Sequence, residues 1–206
     1  MKTVTAVTAQ QKNKKRVNLY RDGEYFCSLD LFTVISERLK AGDTVDEARI
    51  REIADKSEYS SALDKALSYI SKSMHTKAQI IKYLKGKDYQ GRTIAKVIDK
   101  LEEYGYVDDA AFARKYFAEK SGASGVKKIA YELKLKGVDE KTIDGLSEDF
   151  SDQTDACFLI AKKYLKGAVP DYQLRQKCYR YLLNKGFDYE TAKSAVEKLS
   201  DEDSFS

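Results

Sequence analysis

Apolar side chains recur at helical spacing through most of the chain, and this pattern itself repeats every 49 residues. Three columns of identical residues mark the repeat: Leu84/Leu133/Leu182, Lys87/Lys136/Lys185 and Thr93/Thr142/Thr191. Flanking positions stay apolar at the same offsets: Ile80/Ile129/Cys178, Tyr89/Val138/Phe187, Ile94/Ile143/Ala192, Val97/Leu146/Ala195 and Leu101/Phe150/Leu199. One such column could arise by chance, whereas the complete set predicts three tandem copies of one unit.

Each copy contains three apolar stripes at helical spacing, so we expect three helices in each copy. Helix one carries the Leu63 column, helix two the Leu84 column and helix three the Ile94 column; Pro170 falls between helices one and two of the last copy. A unit of this size has a thin core that its neighbours must cover, which predicts an elongated array. The predicted divisions are an amino-terminal segment at 1–59 and repeats at 60–108, 109–157 and 158–206.

The turn between helices two and three has a recurring signature. Gly137 and Gly186 stand where a helix end favours a left-handed residue, and Asp88 takes that place in the first copy. Asp139 and Asp188 follow two positions later and are candidate N-caps of helix three.

The amino-terminal segment has a different pattern. Val17–Tyr20 and Tyr25–Leu29 predict two strands of a short β-hairpin around the Asp22-Gly23 turn. The first dozen residues have few large apolar side chains, and we expect them to be mobile. A helix ending at Gly42 and a second helical segment over Asp46–Lys56 are predicted before the first repeat.

Composition narrows the class of protein. At 206 residues, the chain can bury a core without disulfides or metal. The three cysteines, Cys27, Cys157 and Cys178, form no ligand spacing, which favours reduced thiols and a cytoplasmic location. No run approaches the ~18 apolar residues of a membrane span, and no secretion signal is apparent. We expect a mostly α protein with no membrane association.

Charge follows the same period as the hydrophobic pattern. The segments around helix two are rich in lysine and arginine, whereas helix three and its flanks are acidic. In a regular array, equal columns line up, so the basic columns predict a positive stripe along the molecule. Such a stripe suits a nucleic-acid backbone or an acidic protein groove, although any single lysine could simply solvate a helix surface.

The candidate partner-binding or DNA-binding residues are the basic side chains of these segments: Lys65, Lys82, Lys87, Arg114, Lys127, Lys128, Lys136, Lys163, Arg175, Lys177, Arg180 and Lys185. Tyrosines are interleaved with them at Tyr83, Tyr131, Tyr179 and Tyr181. A tyrosine could stack on a base, but at helical spacing partly buried packing is the more common role.

Catalytic chemistry has little support in the sequence, which predicts neither an enzyme nor a bound cofactor or metal. His75 is the single histidine, and we expect it to be solvated in a link between helices. No phosphate-cradling glycine motif is present. Residues 122–125 resemble a short RNA-clamping loop, but they are better explained as a flexible link into helix two. Asp109 is expected to cap the helix that follows it.

Three stretches of this sequence resemble the RecX family of recombination regulators. An acidic pair followed by Phe-Ala lies at residues 106–113 (YVDDAAFA), and a second stretch at 125–137 reads GVKKIAYELKLKG. The third is RQKCYRYLLNKGF at 175–187. The likeness covers about residues 60 to 200, with Ser124 standing where the family usually has a basic residue. The basic hairpin also resembles an extension of longer members.

The resemblance implies a non-enzymatic regulator built from three tandem three-helix repeats in a curved array. Such proteins bind the filament of the RecA recombinase on single-stranded DNA and lower its ATPase and strand-exchange activity. A monomer would then span neighbouring RecA protomers. A nucleic-acid-binding helical repeat protein that acts alone is the alternative, and an enzyme is a third class for which no site can be nominated.

Overall fold

Strands open the chain and helices fill the rest of it. The computed structural model describes residues 2–11, 13–166, 168 and 171–202, so Pro170 lies outside the described residues. The strands are β1 (Lys2–Ala9), β2 (Arg16–Arg21), β3 (Glu24–Asp30) and β4 (Thr44–Val45). The helices are α1 (Leu31–Ser36), α2 (Glu47–Ile70), α3 (Lys77–Lys85), α4 (Gly91–Glu103), α5 (Asp109–Lys120), α6 (Val126–Leu135), α7 (Glu140–Asp149), α8 (Thr154–Leu165), α9 (Tyr172–Asn184) and α10 (Tyr189–Glu202).

The predicted fold class is confirmed, because the chain is mostly helical with three three-helix groups after a small sheet. The helices divide into α2–α4, α5–α7 and α8–α10 in chain order. The chain forms two compact units: unit 1 holds the residues up to Met74 and Ile80–Val107, and unit 2 holds His75–Gln79 and the residues from Asp108 onward. The four-part division of the sequence stays a prediction, and its 59/60 boundary lies inside α2.

The predicted hairpin is β2 and β3, and Asp22 and Gly23 at its turn have φ values of 51° and 85°. The prediction of a mobile first dozen residues is wrong, since Lys2–Ala9 forms β1 and pairs antiparallel with both β2 and β4. The strand order is β3-β2-β1-β4. Val4 of β1 is wholly buried, and the alternation of Thr and Val in this segment is typical of a strand with one covered face.

The predicted helix end at Gly42 is also wrong. Helix α1 stops after six residues, and Arg38 takes a left-handed conformation with a φ of 54°. Leu39 then donates its N–H to the carbonyl of Val34 and packs into the core under the sheet. Gly42, with a φ of 94°, instead serves the turn before β4 and donates its N–H to the Val4 carbonyl.

One continuous helix replaces two predicted ones. Helix α2 has 24 residues and begins at Asp46, whose carboxylate accepts the Arg49 N–H at 2.6 Å. Its first half buries Ile50 and Ile53 against the sheet, and its second half buries Ala62 and Ala66 in the first repeat. No glycine or proline interrupts residues 47–70, so the two apolar patterns lie on one uninterrupted helix.

The repeat columns form three separate cores. Leu84, Leu133 and Leu182 are wholly buried, each in the cluster of its own repeat. The apolar side chains of the Ile80 column on helix two and the Ile94 column on helix three pack in the same cluster as the leucine of their own repeat. Burial of one leucine contributes about 1.5–3 kcal/mol, so the leucine column is a main source of stability for each repeat.

The turn signature holds in all three copies. Asp88, Gly137 and Gly186 have φ values of 63°, 83° and 92°. Asp139 and Asp188 cap helix three as predicted, and each accepts a backbone N–H at 2.9 Å from the threonine three residues later. The hydroxyl of the same threonine also donates to the cap, at 2.5 and 2.6 Å. These two bonds lower the pKa of the Asp139 carboxyl.

The first copy replaces its missing cap from another helix. Gln90 stands at the capping position of α4 and makes no side-chain cap bond. Glu58 of α2 supplies the carboxylate instead, accepting the Gln90 N–H at 3.0 Å and the Thr93 hydroxyl at 2.7 Å. The threonine column is therefore explained in every copy, because each threonine hydroxyl donates to a carboxylate near the start of helix three.

Unit 2 contains a joint between α6 and the turn that follows α9. Gly125 donates its N–H to the Lys185 carbonyl at 2.9 Å, and a Cβ on Gly125 would lie 2.1 Å from the backbone of Gly186. The buried Gln153 side chain accepts the Val126 N–H at 2.8 Å. The Gln153 amide also donates to the carbonyls of the 121–125 link, so this link leads into α6 as expected and is fixed at both ends.

A second joint in unit 2 lies one repeat earlier and uses equivalent positions of helix two and its turn. Thr76, which stands 49 residues before Gly125, donates its hydroxyl to the Lys136 carbonyl at 2.6 Å. The carboxylate of Asp109 accepts the Lys77 N–H at 2.8 Å, as Gln153 does at the other joint. The predicted role of Asp109 is therefore wrong, because Asp108 caps α5 while Asp109 satisfies the first turn of α3.

We predict that Leu133→Ala lowers the free energy of unfolding by about 2–5 kcal/mol, because it leaves a cavity in the core of the middle repeat. Chemical denaturation followed by circular dichroism measures this change. Leu135→Ala on the same helix is the matched control, since Leu135 is 70% exposed and its truncation should change stability by less than about 0.5 kcal/mol. A Leu133→Ala melting temperature within about 1 °C of the wild type would contradict the assignment of this column to a core.

We predict that Gly125→Ala destabilises unit 2 by about 1–3 kcal/mol, because the added methyl group meets backbone atoms that cannot rotate away. The control is Gly145→Ala in α7, where a Cβ has open space and should stabilise the helix by about 0.5–1 kcal/mol. Thermal unfolding of both variants provides the measurement. Equal stability of the two variants would mean that the close approach at Gly125 does not hold the joint together.

Candidate functional site

The candidate basic residues lie on the described helices, mainly on helix two of each repeat and the residue that ends it. Nine of the twelve are exposed, and three are half-buried: Lys128, Lys136 and Lys185. Helix two of the three repeats is α3, α6 and α9. We use the term helix-two faces for the exposed side chains of these helices together with Lys87, Lys136 and Lys185.

The helix-two faces carry positive charge without exposed negative charge. Within α3, α6 and α9, all of whose residues are described, Glu132 is the sole carboxylate, and it is half-buried. Its Oε2 accepts the Tyr116 hydroxyl at 2.5 Å. Burial and this hydrogen bond raise the pKa of Tyr116 to about 12, so the phenol stays protonated at neutral pH. The helix-two faces therefore carry no exposed carboxylate of their own, although Glu140 of α7 pairs with Lys134 of α6 at 3.1 Å.

A lysine that follows the last residue of helix two by one or two positions meets an aromatic ring in every repeat. The Nζ-to-centroid distances are 5.8 Å for Lys87 over Tyr83, 5.3 Å for Lys136 over Tyr116 and 5.5 Å for Lys185 over Tyr181. All three lie within the range of a cation–π contact. The rings hold each ammonium group at the end of helix two, where the helix dipole also favours positive charge.

Stacked tyrosines support these rings in the first and third repeats. Tyr69 stacks on Tyr83 with a centroid distance of 4.2 Å, and Tyr164 stacks on Tyr181 at 4.6 Å. In the second repeat, Glu132 stands in the column of Tyr83 and Tyr181, and Tyr116 of helix one provides the ring instead. The middle repeat thus builds the same lysine site from different side chains.

The joint between α6 and α9 brings basic residues of two repeats together. A Cβ on Gly186 would lie 2.4 Å from the Cβ of Lys128, and Lys127 donates its backbone N–H to the Gly186 carbonyl. Lys185 accepts the Gly125 N–H in the same joint. Burial is the largest single effect on the pKa of Asp188 and raises it, but the Thr191 hydrogen bonds and, to a smaller extent, Lys127 together bring the pKa below its usual value. Basic residues of consecutive repeats therefore converge in unit 2.

Lys65, Lys82 and Lys87 belong to unit 1, and the other nine candidates belong to unit 2. A single positive stripe through all twelve residues accordingly stays a prediction. Among the described residues, no ion pair within 4 Å involves Lys87, Lys136 or Lys185.

Two expectations about single residues are wrong. Tyr83, Tyr179 and Tyr181 are half-buried as expected, but Tyr131 is 63% exposed on α6. His75 does lie in the link between α2 and α3, yet its side chain is half-buried rather than solvated.

Sequence reasoning missed the exposed Leu135 as a functional candidate, and it named Tyr131 only as one of four interleaved tyrosines. The signal that could have identified them is a break in two columns, where the other repeats have Lys82 and Arg180 opposite Tyr131. The residues that the structure describes contain no cluster of three or more side chains suited to a metal ion. It also contains no helix that is both long and apolar enough to cross a membrane.

Comparison with known families matches four consecutive segments of the chain. The family model of the regulatory protein RecX N-terminal domain matches residues 2–46. The models of the first, second and third RecX three-helix domains match residues 62–110, 108–145 and 151–196. These segments define a regulatory protein with a small amino-terminal domain and three three-helix domains.

Full-length relatives agree with this assignment. The regulatory protein RecX of Clostridium tetani is 35% identical over 202 residues, covering 95% of this chain and 94% of the relative. That of Clostridium beijerinckii is 32% identical over 205 residues, covering 97% and 96%. The chain belongs to the RecX family of regulatory proteins.

Solved structures show the same fold. A crystal structure of regulatory protein RecX, 27% identical, matches with a TM-score of 0.70 and covers 96% of this chain and 100% of its own. RecX from Lactobacillus salivarius, 24% identical, matches with a TM-score of 0.64 over 69% of this chain and 96% of its own.

We predict that Lys87, Lys136 and Lys185 changed together to Glu weaken binding to a RecA–single-stranded DNA filament at least about tenfold, because three reversed charges would repel the negative charge of such a filament. A second triple variant with Gln removes the charge without reversing it and should lose part of the affinity. Co-sedimentation measures binding, and circular dichroism checks the fold.

The matched control changes Lys96, Lys141 and Lys198 to Glu, which alters net charge equally on the exposed surfaces of α4, α7 and α10. This control should bind within about twofold of the wild type at physiological salt. Equal losses of affinity in the two Glu variants would show that binding depends only on net charge and that Lys87, Lys136 and Lys185 do not form a specific contact.

Proposed function

We propose that this protein is a non-enzymatic regulator that binds the RecA–single-stranded DNA filament and inhibits its ATPase and strand-exchange activity during recombination and DNA repair. The observation that carries the proposal is the recurrence, in three repeats, of a helix-two face with basic residues and no exposed carboxylate. Membership of a regulatory family supports the same direction. The protein works as a cytoplasmic monomer and needs no cofactor.

A filament is the partner that suits repeated sites on one chain. Successive protomers present the same surface at regular intervals, so a second engaged repeat binds at a high effective concentration. Three weak sites can then hold one molecule in place without any deep pocket. The filament also combines acidic protein surface with DNA phosphates, and both attract the ammonium groups of the helix-two faces.

A direct test measures the RecA ATPase rate on single-stranded DNA while the purified protein is titrated in at substoichiometric amounts. We expect a clear fall in the ATPase rate together with co-sedimentation of the protein with filaments. Each molecule that bridges protomers should affect several of them, so inhibition should exceed simple one-to-one blocking. An unchanged ATPase rate combined with no co-sedimentation would remove the proposal.

A nucleic-acid-binding protein acting alone is the second candidate, favoured by the aromatic-supported lysines at the ends of α3 and α9. That function requires tight binding to bare DNA at physiological salt, with affinity falling steeply as salt rises. Binding to bare single-stranded DNA that equals binding to RecA-coated DNA would favour this candidate over the filament regulator.

A further inference from the structure

The middle repeat departs from the other two on its helix-two face. At one column the repeats carry Lys82, Tyr131 and Arg180, and one turn later they carry Gly86, Leu135 and Asn184. The first and third repeats thus combine a cation with a small or polar residue. The second repeat combines an aromatic with an aliphatic side chain.

Tyr131 and Leu135 form an exposed apolar pair. They lie four residues apart on α6, which places them on the same side of the helix. Tyr131 is 63% exposed and Leu135 is 70% exposed, so neither belongs to the buried core of the repeat, which uses Ile129 and Leu133. Large apolar side chains exposed side by side are typical of a contact surface.

The charge around the pair defines its partner. Lys127 lies one turn before Tyr131 on the same side of α6, and its side chain is exposed. Lys134 lies three residues after Tyr131, with its Nζ 3.1 Å from Glu140. Glu132, the sole carboxylate of α6, is engaged by Tyr116. Lys127 therefore supplies positive charge beside Tyr131 and Leu135, whereas the charge of Lys134 is offset by Glu140.

A protein surface fits this arrangement better than nucleic acid does. A base could stack on Tyr131, but an aliphatic side chain such as Leu135 offers nothing to the charged phosphates that dominate nucleic-acid binding. An acidic surface with an apolar centre matches both features, since its carboxylates meet Lys127 while its apolar side chain covers Tyr131 and Leu135. Aromatic anchors at the centre of a contact commonly dominate its affinity.

We infer that α6 is the protein-docking helix of this molecule and that Tyr131 and Leu135 bind an acidic, apolar surface on a RecA protomer, while α3 and α9 contact phosphates. This inference rests on the proposed function, and it assigns different binding roles to repeats that share one fold. The middle repeat recognises the protein coat, and the outer repeats recognise the nucleic acid within it.

The sharpest test converts the middle helix to the outer type. Tyr131→Arg combined with Leu135→Asn installs the residues that the third repeat carries at the same columns. Both positions are exposed, so the fold should be retained, as circular dichroism and thermal unfolding will check. Affinity is measured by fluorescence anisotropy for labelled bare single-stranded DNA and by co-sedimentation for RecA-coated DNA.

We expect filament affinity to fall at least about tenfold, as for loss of an interface anchor. Affinity for bare DNA should rise, with a steeper salt dependence from the added cation. The control Leu159→Asn replaces a side chain that is 63% exposed on α8 and should change neither affinity. The single variant Tyr131→Phe keeps the ring and should retain filament binding.

Each contrary result has a defined meaning. Unchanged filament binding by the double variant overturns the inference. A parallel fall in binding to bare and coated DNA also overturns it, because Tyr131 would then be a base-stacking residue. A wild-type protein that does not bind filaments at all would instead remove the proposed function, and this inference with it.

Discussion

The repeats of unit 2 depend on one backbone contact, in which the turn after helix two of one repeat packs against the first turn of helix two of the preceding repeat. In the turn that follows helix two, Gly137 or Gly186 takes a left-handed conformation. A carbonyl of this turn accepts a hydrogen bond from the residue just before helix two of the preceding repeat, which is Thr76 or Gly125. Glycine at 125 and 186 permits this approach, because a Cβ at either place would overlap other atoms. A side chain from the next helix one then accepts the free N–H at the helix start. This joint determines where the basic side chains near it can lie.

The same joint explains why the charged surface and the core share one period. Helix two turns its leucine column inward, so its opposite side must face solvent, and the lysine at its end remains beside the joint. The function proposed for the protein thus follows from helical periodicity and repeated packing rather than from a pocket.

The sequence predicted the parts of the structure that periodicity controls and missed those that depend on partners distant in the chain. The leucine columns, the turns at Gly137 and Gly186 and the caps at Asp139 and Asp188 all have local signatures. Strand β1 was missed because its burial depends on pairing with β2 and β4. The role of Asp109 was missed because its partner Lys77 lies 32 residues away. The exposure of Tyr131 was missed although its column carries the exposed Lys82 and Arg180, because helical spacing alone does not distinguish this tyrosine from the half-buried tyrosines of other columns.

Lysine footprinting by mass spectrometry tests most directly whether the helix-two faces contact the filament. The protein is treated with an amine-modifying reagent alone and when bound to RecA-coated single-stranded DNA. Binding should protect Lys82, Lys87 and Lys127, while Lys96, Lys141 and Lys198 on helices three keep their reactivity. Protection confined to helices three, or equal protection everywhere, would contradict the account.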